Sequence, residues 1–149
     1  TTPVIELVSP PHAYNPSPAG KTALLHLLIT HAILPSTLST VLLSGLTSAI
    51  ILFDPLHHFS ISFLATTLLS HIISCFTAAG KDATTDTAKK EITLCVKQAL
   101  NHVHIFRPAS WHSLLATLRG MESYLFDATQ HSSTHRPIHA LILDDVDAF

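Results

Sequence analysis

At 149 residues the chain is long enough for one domain with a substantial core and short for two. Hydrophobic residues make up 47% and charged residues 12%, which excludes disorder of the chain as a whole. Eight Lys plus Arg against ten Asp plus Glu leave a net charge of -2, which excludes a self-sufficient nucleic-acid binder, because neutralising phosphates takes a basic footprint.

Cys75 and Cys95 are the only cysteines, and no basic and apolar signal segment precedes Val4, so a reducing compartment is expected rather than a disulfide-stapled secreted module. Between Lys21 and Lys81 the sole formal charge is Asp54, a pattern that also suits a membrane span. Seven Ser or Thr between Pro35 and Ser48, and His26, His31, His57, His58 and His71, break every run of twenty apolar residues. An integral membrane protein is therefore kept as the least favoured alternative.

Val4-Ile5-Glu6-Leu7-Val8 is short and β-branched, and predicts a buried first strand of the parallel kind. Pro10, Pro11, Pro16 and Pro18 then impose a loop. Thr22 to Leu34, rich in leucine and ended by Pro35, predicts a buried helix. Ala49 to Phe53, closed by Asp54-Pro55, predicts a second strand, and Ile61 to Phe76 a second helix. The tract Gly80 to Glu91 holds many Lys and few bulky apolar residues, so a solvated, mobile excursion from the core is expected there. Val103 to Arg107 predicts a third strand, Ser110 caps a helix running to about Phe126, and Ile138 to Leu143 predicts a fourth strand ending at Asp144 and Asp145. Apolar strands alternating with helices specify an α/β fold whose mainly parallel sheet is covered on both faces, with ligands at the carboxyl ends of the strands.

Gly20-Lys21-Thr22 lies between the first predicted strand and the first helix, which is the context of a phosphate-binding loop. There backbone N–H groups and the positive end of the helix face an anion, Lys21 reaches the outer phosphates, and the Thr22 hydroxyl ligates Mg2+. The full pattern asks for Gly where Asn15 stands, and Pro16 and Pro18 remove two amide donors, so weak ATP binding is expected. Ala140-Leu141-Ile142-Leu143-Asp144 delivers a carboxylate from a strand end, where such proteins hold magnesium or its water shell. Gly20, Lys21, Thr22 and Asp144 are thus the expected nucleotide-binding residues, with Thr22 and Asp144 serving the magnesium.

The order Val4-Ile5-Glu6-Leu7, Gly20-Lys21-Thr22, Ile33-Leu34-Pro35, Ile51-Leu52-Phe53-Asp54 with His58-Phe59, Glu122-Ser123, and Leu141-Ile142-Leu143-Asp144 with Ala148-Phe149 resembles the ATPase core of the eukaryotic RecA-like recombinase paralogues. The resemblance covers most of the chain and implies a three-layer P-loop NTPase core spanning residues 1–149, with insertions at 36–48 and 78–98. It implies a core incomplete at the carboxyl end, because family members carry further strands and two DNA-binding loops beyond the magnesium strand. Active recombinases place a water-polarising glutamate two residues after the position of Asp54; here that residue is Leu56, so no catalytic residue is assigned and hydrolysis in isolation is expected to be negligible. The resemblance further implies a nuclear accessory subunit for homologous-recombination repair of DNA breaks. Its partners would be other recombinase paralogues, a D-type paralogue first, and single-stranded or branched DNA reached through the complex. A working ATPase completed by a neighbouring subunit is the main alternative.

Other candidates carry less. His102-x-His104 and the set His131, His135 and His139 have metal-like spacings, but Pro137 interrupts the second and neither has a complete ligand set at the right spacing. Ser132 and Ser133 lack the elbow that presents a nucleophilic serine. Strand alternation sets Asp144 on the opposite side from Asp145, and Asp144 is the chosen carboxylate. Trp111 is assigned to packing at the start of its helix rather than to base stacking.

Overall fold

In the computed structural model, residues 3–8 and 20–145 are described. The most apolar strand lies at the centre: β3 (Ala49–Phe53) is buried along its whole length and pairs in parallel with both β4 (Val103–Phe106) and β5 (Ile138–Leu143), giving the order β4-β3-β5. Alternation along β3 sends Ile50 and Leu52 to one face and Ile51 and Phe53 to the other, so both faces need cover.

The first face is covered by α1 (Lys21–Ile33), α2 (Ile61–Ala78) and α3 (Asp86–Leu100), with α2 packed against both of the others. On α2, Leu64, Leu68, Ile72 and Phe76 recur at helical spacing and are buried. Length and hydropathy alone would let α2 cross a membrane, and no other described helix passes that test. The second face is covered by α4 (Trp111–Leu125), whose Leu114 and Met121 pack on Ile51 and Phe53. Ser110 caps α4 by accepting from the Ser113 N–H at 3.2 Å, as its position in the sequence predicts. The molecule is therefore an α/β fold with helices on both faces of a parallel sheet.

Two expectations fail. Val4 to Val8 forms no strand in the structure: Val4 is 95% and Ile5 82% exposed, and the sheet has three strands among the described residues. The tract after Gly80 is not an excursion from the core either. From Asp86 it is helical, and Ala88, Ile92, Cys95 and Ala99 enter the core beside Leu68 and Ile72. The error has a physical source, because the buried stripe of α3 holds one bulky residue among small ones, while Lys89, Lys90 and Lys97 occupy its solvent side. Thr85 caps this helix by accepting from the Ala88 N–H at 3.3 Å.

Segment 36–48 also joins the core. It forms a hairpin of β1 (Thr37–Leu38) and β2 (Val41–Leu42), and Val41 and Leu43 are buried. Ser39 and Thr40 both have positive φ, as a two-residue hairpin turn of the favoured hand requires, although neither is glycine. The Lys81 ammonium donates to the Ser39 carbonyl at 2.8 Å and to the Thr40 hydroxyl, and the Ser39 hydroxyl donates to Glu91 Oε2 at 2.8 Å.

Behind β4 lies a histidine cluster. His102 Nδ1 is 2.8 Å from Ser133 Oγ, and His104 Nδ1 is 2.8 Å from Tyr124 Oη, while His104 Nε2 is buried without a hydrogen-bond partner. Burial, then the charge of Arg136 and the neighbouring His104, push the His102 pKa down to about 4; burial and His131 push His104 down as well. Both rings are thus held neutral in the fold, and the unfolded chain binds more protons once pH drops below about 6.5. Their stabilising contribution is complete above that value and is lost as pH falls toward 4. Urea unfolding between pH 7.5 and 4.5 should show the midpoint falling with acidity, and His102→Asn should flatten that slope.

Candidate functional site

Parallel strands end on the same edge, and here the three ends carry Asp54 after β3, Arg107 after β4, and Asp144 and Asp145 after β5. The register Phe53 opposite Phe106 makes Asp54 and Arg107 the next pair, and Arg107 Nε donates to Asp54 Oδ2 at 3.3 Å. Asp54 is fully buried, and its Oδ1 accepts from the His58 N–H at 2.8 Å and the Phe59 N–H at 3.3 Å. Its carboxylate therefore organises the turn after β3 and has no free face for substrate. Leu56 is exposed within that turn.

Asp144 leaves β5 with its N–H donating to the Phe53 carbonyl at 2.9 Å. Burial raises its carboxyl above the usual carboxylate range, and the charges of Asp145 and Asp54 raise it further. The Asp145 N–H and the Lys21 ammonium act in the opposite direction. The Lys21 charge is the smallest of these influences, and among the described residues no hydrogen bond or ion pair joins Lys21 to Asp144. Asp145, at φ 50°, turns away to bond His58 Nδ1 at 2.8 Å.

Gly20 and Thr22 accompany Lys21 at the amino end of α1. Gly20 has φ 126°, a conformation that side chains rarely adopt, and provides no side-chain cap. The first internal bond of the helix runs from the Leu24 N–H to the Gly20 carbonyl at 2.8 Å, so the amides of Lys21, Thr22 and Ala23 precede the ladder. No acidic residue lies in this turn, so the positive end of the helix dipole carries a lysine and no carboxylate of its own. Thr22 is exposed, and its carbonyl lies 2.7 Å from His26 Nδ1. The prolines and Asn15 of the expected phosphate loop lie outside the described residues.

The fit to a magnesium nucleotide is partial. A helix amino end, a lysine and a desolvated carboxylate suit a phosphate–magnesium pair. Among the described residues no three His, Cys, Asp or Glu side chains converge as metal ligands, so magnesium would need the nucleotide to supply most of its oxygens. On the α4 side of this edge, Phe53, Pro55, Pro108, Trp111, Leu143 and Asp145 line a cavity of about 40 Å3, room for a few waters. Trp111 is half exposed there.

Three site residues escaped sequence reasoning. Arg107 had a usable signal, since a cation ending one strand and an acid ending its neighbour become partners once strand order is known. His58 followed Asp54 at a spacing typical of side-chain-organised turns. His26 had none: a histidine in a leucine run gives no warning that its ring will stack on Phe59 at 4.6 Å and reach the Ser60 carbonyl at 3.1 Å. No known protein family matches the sequence, and no curated protein matches it at a significant level.

Proposed function

We propose that the chain is a degenerate P-loop core of the RecA-like type, binding a magnesium nucleotide weakly through Gly20, Lys21, Thr22 and Asp144. The observation that carries this reading is the placement of Lys21 on the amino end of α1 and of the desolvated Asp144 at the end of β5. In this reading the α1 amides and Lys21 hold the phosphates, Thr22 and Asp144 hold magnesium directly or through water, and bound magnesium supplies charge neutralisation. After β3 no free carboxylate orients a water, because Leu56 is apolar and Asp54 is committed to its turn, so in this reading the isolated chain binds without hydrolysing.

The biological role rests on the order of motifs: an accessory, structural subunit of a recombinase-paralogue complex in homologous-recombination repair, with a D-type paralogue as partner and DNA met through the complex. The missing carboxylate favours one variant of this reading, in which a neighbouring subunit completes an ATPase.

Titrating the chain with a fluorescent ATP analogue and Mg2+ tests the site. Lys21→Ala should weaken binding about tenfold or more, the loss of one charge-assisted contact to phosphate. Asp144→Asn should weaken the Mg2+ dependence and spare metal-free binding. An affinity unchanged by Lys21→Ala would discard the nucleotide site. ATP turnover appearing only on mixing with a paralogue would select the shared-site variant.

A further inference from the structure

Segment 127–137 joins α4 to β5, and Ser133 is its one buried residue. No buried apolar side chain anchors the segment, so what holds it is polar. The His131 Nε2–H donates to the Tyr124 carbonyl at 3.0 Å, and His131 Nδ1 accepts from the Ser133 N–H at 3.1 Å. The Ser133 hydroxyl in turn meets His102 Nδ1 at 2.8 Å. Beside this bond the His131 ring lies 4.8 Å, centre to centre, from both His104 and Tyr124.

The other side of these contacts is fixed to the sheet. The Ile50 N–H donates to the His102 carbonyl at 2.9 Å, and His104 stands opposite Ile51 in the register of β3 and β4. Further along the segment, Arg136 Nη1 donates to the Ile33 carbonyl at 2.8 Å. Acid leaves that tie intact, because a guanidinium is already protonated, so the start of β5 stays in place. The part free to lift is therefore 127–135.

We propose that residues 127–135 form an acid-opened latch, which protonation of His102 and His104 releases from β4 and the end of α4 while the three-stranded sheet stays folded. The closed latch has no place for the two protons. In an imidazolium both ring nitrogens donate. His104 Nε2 is buried without a partner, and His131, with both of its nitrogens engaged, offers it no acceptor. Arg136 and His104 act on His102, and His131 acts on His104, all against protonation, and no carboxylate among the described residues opposes them. Asp127 lies instead in the field of His131, Cys95 of α3 in that of Arg136, and Tyr124 of α4 is bonded to His104 Nδ1. Burial is the largest influence on both rings, and the part of it that Ser133 and His131 supply leaves with the segment. On opening, His102 returns from a pKa of about 4 toward the ordinary 6.5, so the open form binds more protons. The advantage of the closed form is complete above pH 6.5 and is lost as pH falls toward 4. Nucleotide binding plays no part in this latch.

Amide hydrogen exchange of the full chain between pH 7.5 and 4.5, expressed as protection relative to the unfolded chain at the same pH, tests the latch. The Ser133 and Arg136 N–H groups report on it, because their acceptors, His131 Nδ1 and the Ser133 carbonyl, both lie in the lifting part. Their protection should fall by at least about tenfold over this range, and by about seventyfold if His102 alone returns fully to its ordinary value. At every pH it should stay at least about tenfold below that of Ile51 and Leu52 in β3, since the latch opens before the sheet unfolds. In the double variant His102→Asn, His104→Asn, whose amides keep a donor and do not titrate, the fall should flatten. A second readout needs no variant: in the unaltered chain the His102 ring, followed by NMR, should take up its proton in step with the loss of protection. Protection at Ser133 and Arg136 that is constant with pH, or that matches β3 throughout, would overturn the proposal. So would a fall that persists in a folded double variant, or ring protonation that leaves Ser133 protected.

Discussion

Gly45→Ala should destabilise the protein by at least about 3 kcal/mol, lowering the melting temperature by roughly 6–12 °C. A methyl group built on Gly45 would lie 2.1 Å from the Leu34 carbonyl oxygen and 2.4 Å from its carbon, and backbone at that distance cannot swing aside. The close approach has a purpose. The strip after the hairpin runs over the end of α1, where the Leu46, Thr47 and Ser48 N–H groups donate to the carbonyls of His31, Leu34 and Ala32. Those carbonyls have no partners within the helix, and the strip supplies them. Any side chain at Gly45 would lift the strip and strand several acceptors together. Gly120→Ala is the matched control: it lies within α4, its added methyl meets nothing within 4 Å, and it should stabilise by up to about 1 kcal/mol. Thermal and urea unfolding of the two variants side by side would show opposite signs.

Asp54→Ala should cost about 2–4 kcal/mol. The change leaves the His58 N–H and the buried Phe59 N–H without their acceptor and removes the partner of Arg107. Asp54→Asn should cost less, because an amide oxygen in the place of Oδ1 still accepts from both backbone donors and only the Arg107 contact is lost. If the carboxylate served chemistry instead of the turn, both variants would unfold at the parental midpoint. Equilibrium urea unfolding, with far-ultraviolet circular dichroism as the readout, separates the two roles.

How much of this was legible beforehand depends on the kind of signal. β3, β4, β5, α2 and α4 stand close to where apolar pattern, Pro55 and the Ser110 cap place them, because each buries an unambiguous face. α3 was obscured since its inward stripe is built on Ala88, Cys95 and Ala99, residues whose small volume weakens any hydrophobic pattern. Val4 to Val8 reads as a strand by composition, and composition cannot say whether an edge accepts it. The places of Gly20, Lys21 and Thr22 at the start of α1 and of Asp144 at the end of β5 were readable from the alternation of strand and helix. The Asp54–Arg107 pair was not, because it depends on β4 and β3 being neighbours, a fact of topology that no local window contains.

The tip of the hairpin gives the molecule an order of assembly. Its left-handed residues, Ser39 and Thr40, are held by Lys81 and Glu91, about forty and fifty positions further along. Left-handed backbone without glycine costs about 1 kcal/mol or more per residue until such partners arrive. Those partners arrive only after α2 and α3 have closed a long loop. The tip is thus among the last parts to find its native shape, and what holds it slows the way out of the folded state far more than it speeds the way in.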